Sequence, residues 1–380
     1  MREKINRWLE LKRYNWKNLD ISLLVVVSIL LLISTYVLSI VQGDSFSLKR
    51  QLFGIIAGFV IVFIFVLIDY HDLCLYIPVI YIVTTLMAAA TKFSPLGDDQ
   101  GTDSYRWLDF KIIEFQPSEV CKIKHPFLTK DNLKNFKTFS CLCHCPGVTM
   151  FILVQSDLSS SIVMMVILIM MLANSGIGHK VLGPVAAVMI PVAGFLFWYI
   201  QQPGQKLLHG YQLKRIMGWL HPEEQALDTM FQQNNSILSI ASGKLYGKML
   251  DGTTTTRNYS KVDVTESDFI WTPIGEEFGF IGCMVILLLL SIIIIKCFIA
   301  AKNAKDYTGM MIAVGIGSMF CFQVFINIGV ATRLLPNTGL PLPFLSNGLT
   351  SLLSYMIMIG ILLNIGIQPN RGSGDSFEIH

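Results

Sequence analysis

Residues 279–300 read GFIGCMVILLLLSIIIIKCFIA, an apolar run in which Lys296 is the only charged residue. A helix of this length extends about 33 Å, which matches a bilayer hydrocarbon core about 30 Å thick. Similar runs recur along the chain, at 21–42, 51–68, 73–91, 158–175, 181–200, 308–330 and 350–367. The repetition predicts helices that span a membrane.

The composition supports the same class of protein. Of 380 residues, 53% are hydrophobic and 14% are charged, whereas soluble domains average about 25% charged residues. This excludes an ordinary soluble enzyme. The net charge of +3 is small and dispersed along the chain, so nucleic acid is not an expected partner.

Two weaker runs, 117–129 and 146–156, bring the predicted number of spans to ten. The first carries several charged residues, and the second is too short to cross a bilayer unless it is extended backwards. We therefore expect an all-α polytopic membrane protein with about ten transmembrane helices. Residues 20–368 would form one transmembrane domain, with a long extracytoplasmic loop, 202–268, between helices 7 and 8.

Basic residues indicate the orientation. The tail 1–19 contains six Lys and Arg residues, which the positive-inside rule places in the cytoplasm. Ten crossings would return the tail 369–380 to the cytoplasm. The loops 92–116 and 202–268 would then lie on the outer side. The first apolar run lacks a cleavage site for a signal peptidase and is expected to remain as a helix.

Ionisable residues at membrane depth are functional candidates, because an unpaired charge there is costly. Glu119 and Lys122 follow Pro117 and are three residues apart, so they share a helix face and can neutralise one another. Arg106 and Trp107 precede them in the outer loop. The alternative is structural: an ion pair that locks helices together, and a tryptophan that anchors the chain at the interface.

A second candidate site ends the long outer loop. Thr272 and Pro273 predict a helix start, with Thr272 as the cap and the helix N-terminus open to the outer surface. Such an end attracts anions, including phosphates. Asp268 would lie just ahead of it, where a carboxylate can take a proton from a bound hydroxyl. Alternatively, Asp268 is a helix cap or a solvated loop acid.

Other polar residues fall on the same side of the membrane. Gln212 and Arg215 follow the seventh span, and Arg215 could contact a phosphate or a lipid head group. Three prolines, Pro336, Pro341 and Pro343, exclude a helix between 336 and 346. We expect an ordered outer loop that closes over a groove.

In this order and spacing, these motifs resemble the SEDS family (shape, elongation, division and sporulation), which includes RodA, FtsW and SpoVE. The resemblance covers nearly the whole chain, and the tail and length look more like RodA, the peptidoglycan glycosyltransferase of cell elongation. The motifs are Arg106-Trp107, Gln116-Pro-Ser-Glu119 with Lys122, Gln155-Ser-Asp157-Leu158, Tyr211-Gln212 with Arg215-Ile216, Ser267-Asp268-Phe269-Ile270, Ile274-Gly-Glu-Glu-Phe-Gly279, Asn327-Ile-Gly329 and Pro336 to Ser346.

The resemblance implies an inverting glycosyltransferase in the bacterial cytoplasmic membrane. It would polymerise lipid II, a disaccharide-pentapeptide on undecaprenyl pyrophosphate, alongside a class B penicillin-binding protein. Asp268 matches the essential acidic position and would be the general base. A divalent cation at the pyrophosphate is left open, and no metal ligand is assigned. The residues implied in substrate binding are Arg106, Trp107, Glu119, Lys122, Gln212, Arg215 and Glu276.

The sequence departs from the family pattern at several positions. Ser156, Ser159, Glu266-Ser267, Arg333 and Asn347–Ser351 replace residues that the family usually has. These departures keep open a catalytically impaired scaffold that binds the penicillin-binding protein. A lipid-linked sugar transporter is a third alternative, which rests on analogy of fold alone.

Overall fold

The structure is a computed structural model that describes residues 14–42, 45–93, 97–98, 107–109, 114–124, 158–174, 179–202, 205, 210–223, 230–251 and 257–368. Most of these residues are helical. The helices are α1 (Ile21–Gln42), α2 (Ser45–Leu67), α3 (Tyr70–Phe93), α4 (Pro117–Lys124), α5 (Leu158–Asn174), α6 (His179–Ile200), α7 (Gly210–Leu220), α8 (Phe231–Ser242), α9 (Lys248–Asp251), α10 (Trp271–Asn303), α11 (Tyr307–Ala331) and α12 (Leu349–Ile367).

Among the described residues, five helices are long and apolar enough to cross a membrane: α1, residues 48–67 of α2, α10, α11 and α12. These confirm the corresponding predicted spans, and the chain is an integral membrane protein. Shorter apolar stretches lie in α3, α5 and α6. Two weaker runs were predicted. Of the first, 117–129, only residues 117–124 are described, and they form the short helix α4; the second, 146–156, lies outside the described residues. The total of ten spans stays a prediction.

Helices α11 and α12 form the centre of the bundle. Their most apolar windows are 78% and 83% buried, against 28% for α2 and α10, whose outer faces are left for lipid. Close packing of α2 on α12 depends on small residues, since a Cβ at Gly58 would lie 2.8 Å from Met356. Such contacts replace the hydrophobic effect as the association force inside a bilayer.

The two ends of the bundle differ. At the tail end, named for its position beside both chain tails, the Asn15 amide donates to the Ile367 carbonyl at 2.8 Å. There the two ring nitrogens of His71 face carboxylates of Asp69 at 2.7 Å and Asp306 at 2.5 Å. Burial alone would lower the pKa of His71, but the hydrogen bonds to Asp306 and Asp69 outweigh it and raise the pKa to about 9.

The loop end, opposite, carries the polypeptide between α6 and α10 and the irregular segment 332–348. It also carries a small antiparallel sheet of β1 (Gly97–Asp98), β2 (Trp107–Asp109) and β3 (Glu114–Phe115). Leu108 pairs with both Gly97 and Phe115. The all-α prediction omitted this sheet because strands of two or three residues are too short to show alternation.

Helix α8 ties the predicted long loop to the bundle. Its buried face is polar, at spacings of three residues: Gln233, Ser236 and Ser239. The Gln233 amide donates to the carbonyls of Val330 and Leu335, both at 2.8 Å. The segment 202–268 therefore contains helices that pack on α10 and α11 through hydrogen-bonded polar side chains.

A turn at 243–247 creates a kink in α10. The Phe280 and Ile281 amides donate to the carbonyls of Lys244 at 2.9 Å and Leu245 at 3.1 Å rather than continuing the helix. Gly279 adopts φ 64° at this point, a conformation that glycine tolerates best. The predicted span from 279 is therefore the segment after the kink, and α10 extends eight residues further toward the loop end.

Candidate active site

Asp268 lies in the turn 263–270 that leads into α10, and its side chain is half-buried. The Ser267 hydroxyl donates to its Oδ1 at 3.1 Å. Ser267, one of the departures from the family pattern, thus contacts the carboxylate of the predicted base. The contact orients that carboxylate.

The backbone on either side of this carboxylate is fixed by distant parts of the chain. The Asn347 amide donates to the Glu266 carbonyl at 2.8 Å, and the Ser346 hydroxyl donates to the Ser267 carbonyl at 2.5 Å. The Asn327 amide side chain donates to the Asp268 carbonyl at 2.8 Å and to that of Leu340 at 2.7 Å. Three consecutive carbonyls are therefore held by α11 and by residues 336–348, the proline-rich loop.

That loop is irregular, as predicted. Residues 336–348 contain no helix, and every residue from Leu340 to Ser346 is buried. Irregular backbone of this kind is stable where protein covers it. Its contacts with 266–268 place it directly against the predicted base.

The predicted helix start is wrong in detail. Helix α10 begins at Trp271, with Ile270 as its N-cap and no side-chain capping bond. Thr272 is fully buried inside the first turn, where its hydroxyl bonds Ser236 at 2.6 Å. The helix N-terminus does not open to the outer surface, because α8 packs across it.

Glu276 is also fully buried, and four donors hold its carboxylate. Lys248 and Ser239 donate through their side chains, and the backbone amides of Asn258 and Tyr259 donate at 2.8 and 2.9 Å. This charge is fully compensated. It joins α8, α9 and the turn 257–261 to the first turns of α10, on the segment that presents Asp268.

The next residue, Glu277, is also buried and makes a second ion pair, 2.8 Å from the half-buried Arg257. Tyr259, in the same turn, has its pKa raised to about 12, mainly by burial and then by the nearby Glu277 charge. Its hydroxyl is therefore neutral at physiological pH. Sequence reasoning missed Lys248 and Arg257, because no local pattern marks their partners. Ser346 ended a family motif without an assigned role. Asn327 stood in a family motif without an assigned role.

The predicted pairing of Glu119 with Lys122 is confirmed. The two groups are 2.6 Å apart, and both residues have no exposed surface. Among the described residues, the second carboxylate oxygen of Glu119 has no hydrogen-bond partner. The pair lies in α4, which packs against α12 and α5.

The remaining predicted residues are distributed around the loop end. Arg215, in α7, donates to the Asn337 carbonyl at 3.2 Å and so reaches the proline-rich loop. Gln212 is half-buried on the same helix, and Trp107 is half-buried in β2. Arg106 lies outside the described residues.

Arg333 also lies at the loop end. It adopts φ 61° and bonds the Asn234 side chain at 2.9 Å. The described part of the chain contains no group of three or more His, Cys, Asp or Glu side chains that could hold a metal ion. A divalent cation at the pyrophosphate stays a prediction.

These features define a polytopic helical membrane protein in which an acidic residue, Asp268, lies on a backbone fixed between a helix start and an irregular loop. The chain belongs to the FtsW/RodA/SpoVE family of cell cycle proteins, whose family model matches residues 14–371.

Relatives with curated names support this membership. The chain is 30% identical to the peptidoglycan glycosyltransferase MrdB of Escherichia coli over 360 residues, which cover 92% of this chain and 93% of MrdB. It is 32% identical to stage V sporulation protein E of Bacillus subtilis over 365 residues, which cover 90% of this chain and 96% of the relative.

Solved structures show the same fold. A chain from a study of how a peptidoglycan synthase complex coordinates polymerization and crosslinking superposes with a TM-score of 0.76 at 20% identity, covering 92% of this chain and 98% of that one. The rod shape determining protein RodA of Thermus thermophilus gives a TM-score of 0.66 at 20% identity, covering 93% and 98%.

Proposed function

We propose that this protein is a peptidoglycan glycosyltransferase that polymerises lipid II, with Asp268 as the general base. The observation that carries the proposal is the fixation of residues 266–268 by Asn327, Ser346 and Asn347. A general base must be held in place, because misplacement of about 1 Å can cost on the order of a hundredfold in rate. A purely solvated loop acid has no need for such support.

The reaction is a displacement at a sugar. The 4-hydroxyl of the acceptor attacks the anomeric carbon of the donor, its proton passes to Asp268, and undecaprenyl pyrophosphate leaves with the electron pair. The anomeric configuration inverts. Positive charge must stabilise the departing pyrophosphate, and Arg215 and Arg106 are the proposed contributors.

The other predicted substrate residues divide by their surroundings. Gln212 shares a helix with Arg215, and Trp107 belongs to the small sheet, so both are proposed to line the substrate path. Lys122 is fully buried and paired with Glu119. We therefore propose that it acts on the substrate electrostatically rather than by direct contact. Glu276 is held by four donors and is proposed as a positioning residue for the Asp268 segment.

The setting follows from charge and from the relatives. The basic N-terminal tail favours a cytoplasmic tail end, which would place Asp268 on the outer face of the bacterial cytoplasmic membrane. The structural neighbour from a synthase complex supports a class B penicillin-binding protein as partner. A divalent cation would assist at the pyrophosphate.

The test uses the purified full chain with its penicillin-binding partner and lipid II, and separates glycan strands on a gel. Asp268→Asn is expected to reduce polymerisation by about 10²- to 10⁴-fold, the usual contribution of a general base. Asp263→Asn is the matched control, because Asp263 is an exposed acid in the same turn.

Equal activity of the wild type and Asp268→Asn would refute the catalytic role. Absence of strands even from the wild type would favour the scaffold, and movement of labelled lipid without polymerisation would favour the transporter. Chelation in the same assay tests the cation.

A further inference from the structure

A cavity of about 440 Å³ opens at the tail end, far from Asp268, between the start of α1 and the ends of α10 and α12. This volume falls in the range of small-molecule sites. Its inner wall is apolar, with the buried Leu23 and Leu362, whereas its rim is exposed and carries the apolar Ile299 and the polar Asn18 and Asn303.

Lys296 and Asp20, which both line the cavity, form an ion pair whose charges cancel. Lys296 donates to both oxygens of Asp20, at 3.1 and 2.8 Å. Asp20 also accepts from the Ser22 hydroxyl at 2.6 Å and the Leu23 amide at 3.2 Å. Burial alone would raise the pKa of Asp20, but these bonds, with that of Lys296 foremost, hold it below its usual value. The carboxylate therefore stays ionised beside Lys296.

Lys305 then determines the net charge of the cavity. It lines the rim, is exposed, and forms no ion pair with any described residue. With Lys296 and Asp20 cancelling, the charged residues lining the cavity sum to one positive charge. Such a cavity is suited to a ligand with a single negative charge and hydrogen-bond acceptors for the two asparagine amides.

The depth of the cavity identifies the source of that charge. Helix α1 begins at Ile21 and α10 ends at Asn303, so the cavity lies where the apolar helices end and lipid head groups begin. Basic pockets between helices at this depth recognise lipid head groups. We propose that the cavity binds an anionic phospholipid, with its phosphodiester beside Lys305 and its first acyl carbons against Ile299.

The test is native mass spectrometry of the full chain in detergent, titrated with phosphatidylglycerol, with phosphatidylcholine of the same acyl chains, or with inorganic phosphate. Lys305→Gln is expected to weaken phosphatidylglycerol binding about fivefold, the usual effect of one lysine at a lipid surface. Lys302→Gln, an exposed neighbour outside the cavity lining, should leave binding unchanged. Asp20→Asn, which frees Lys296, should strengthen it.

Several results would overturn the proposal. Equal weakening by Lys302→Gln would indicate general attraction to a basic surface, and equal binding of phosphatidylcholine would remove the anionic requirement. Displacement of the lipid by equimolar inorganic phosphate would make this a free phosphate site. Failure of Asp20→Asn to strengthen binding would contradict the charge argument, and a melting curve of each variant shows that it is folded.

Discussion

The contact between the 243–247 turn and α10 predicts that Gly243→Ala destabilises the protein. Gly243 has φ −73° and ψ −15°, which alanine adopts freely, so the effect comes from space alone. A Cβ at this position would overlap the Gly275 carbonyl oxygen and lie 2.9 Å from its carbon and 3.0 Å from the Glu276 Cα. All three are backbone atoms, and no flexible side chain can move aside.

The size of the loss in unfolding free energy depends on which segment moves to make room for the Cβ. Separation of the two backbones resembles overpacking of a core, which costs about 1–3 kcal/mol. If the turn lifts instead, the amides of Phe280 and Ile281 lose the carbonyls of Lys244 and Leu245. Each amide left without a hydrogen-bond partner and without water costs about 1–3 kcal/mol. The expected loss of unfolding free energy is therefore about 2 kcal/mol, with less lipid II polymerisation because the α10 start supports Asp268.

Denaturant unfolding in detergent measures the loss. Gly194→Ala in α6 is the control, because a Cβ there meets nothing within 4 Å. That variant should be neutral or more stable by up to about 1 kcal/mol, since alanine favours helix. If Gly243→Ala proved as stable as Gly194→Ala, the tight contact and its role in kinking α10 would be refuted.

Two further predictions concern buried charges. The pKa of His71 rises from 6.5 to about 9 on folding, so its stabilisation is complete below about pH 6.5 and is lost as pH rises through about 9, at most about 3 kcal/mol. The melting difference between wild type and His71→Gln should shrink over that window, whereas exposed His221→Gln should show no such trend. A melting difference that stays constant with pH would contradict a charged His71 paired with Asp69 and Asp306. Lys122→Met should cost about 3–5 kcal/mol by stranding the Glu119 charge, and the double variant Glu119→Gln with Lys122→Met should recover most of it in denaturant unfolding. Failure of that recovery would show that packing of the Lys122 side chain, rather than charge, is lost.

The fold class could be predicted from sequence because a membrane helix is recognised from its own residues. A run of about 20 apolar residues needs no knowledge of the rest of the chain. The pairing of Glu119 with Lys122 was equally local, since a spacing of three places both on one face. The non-helical character of 336–346 followed from its prolines.

Contacts between distant polar residues required the tertiary structure. The bond from Ser346 to the Ser267 carbonyl spans 79 residues, and that from Asn327 to the Asp268 carbonyl spans 59. Likewise, the Thr272 hydroxyl bonds Ser236 of α8, 36 residues away, instead of capping α10. Sequence identified Asp268 as a candidate, but packing alone decided what holds it. Hydropathy is set residue by residue, whereas a buried polar group is satisfied by whichever partner the folded chain brings within about 3 Å.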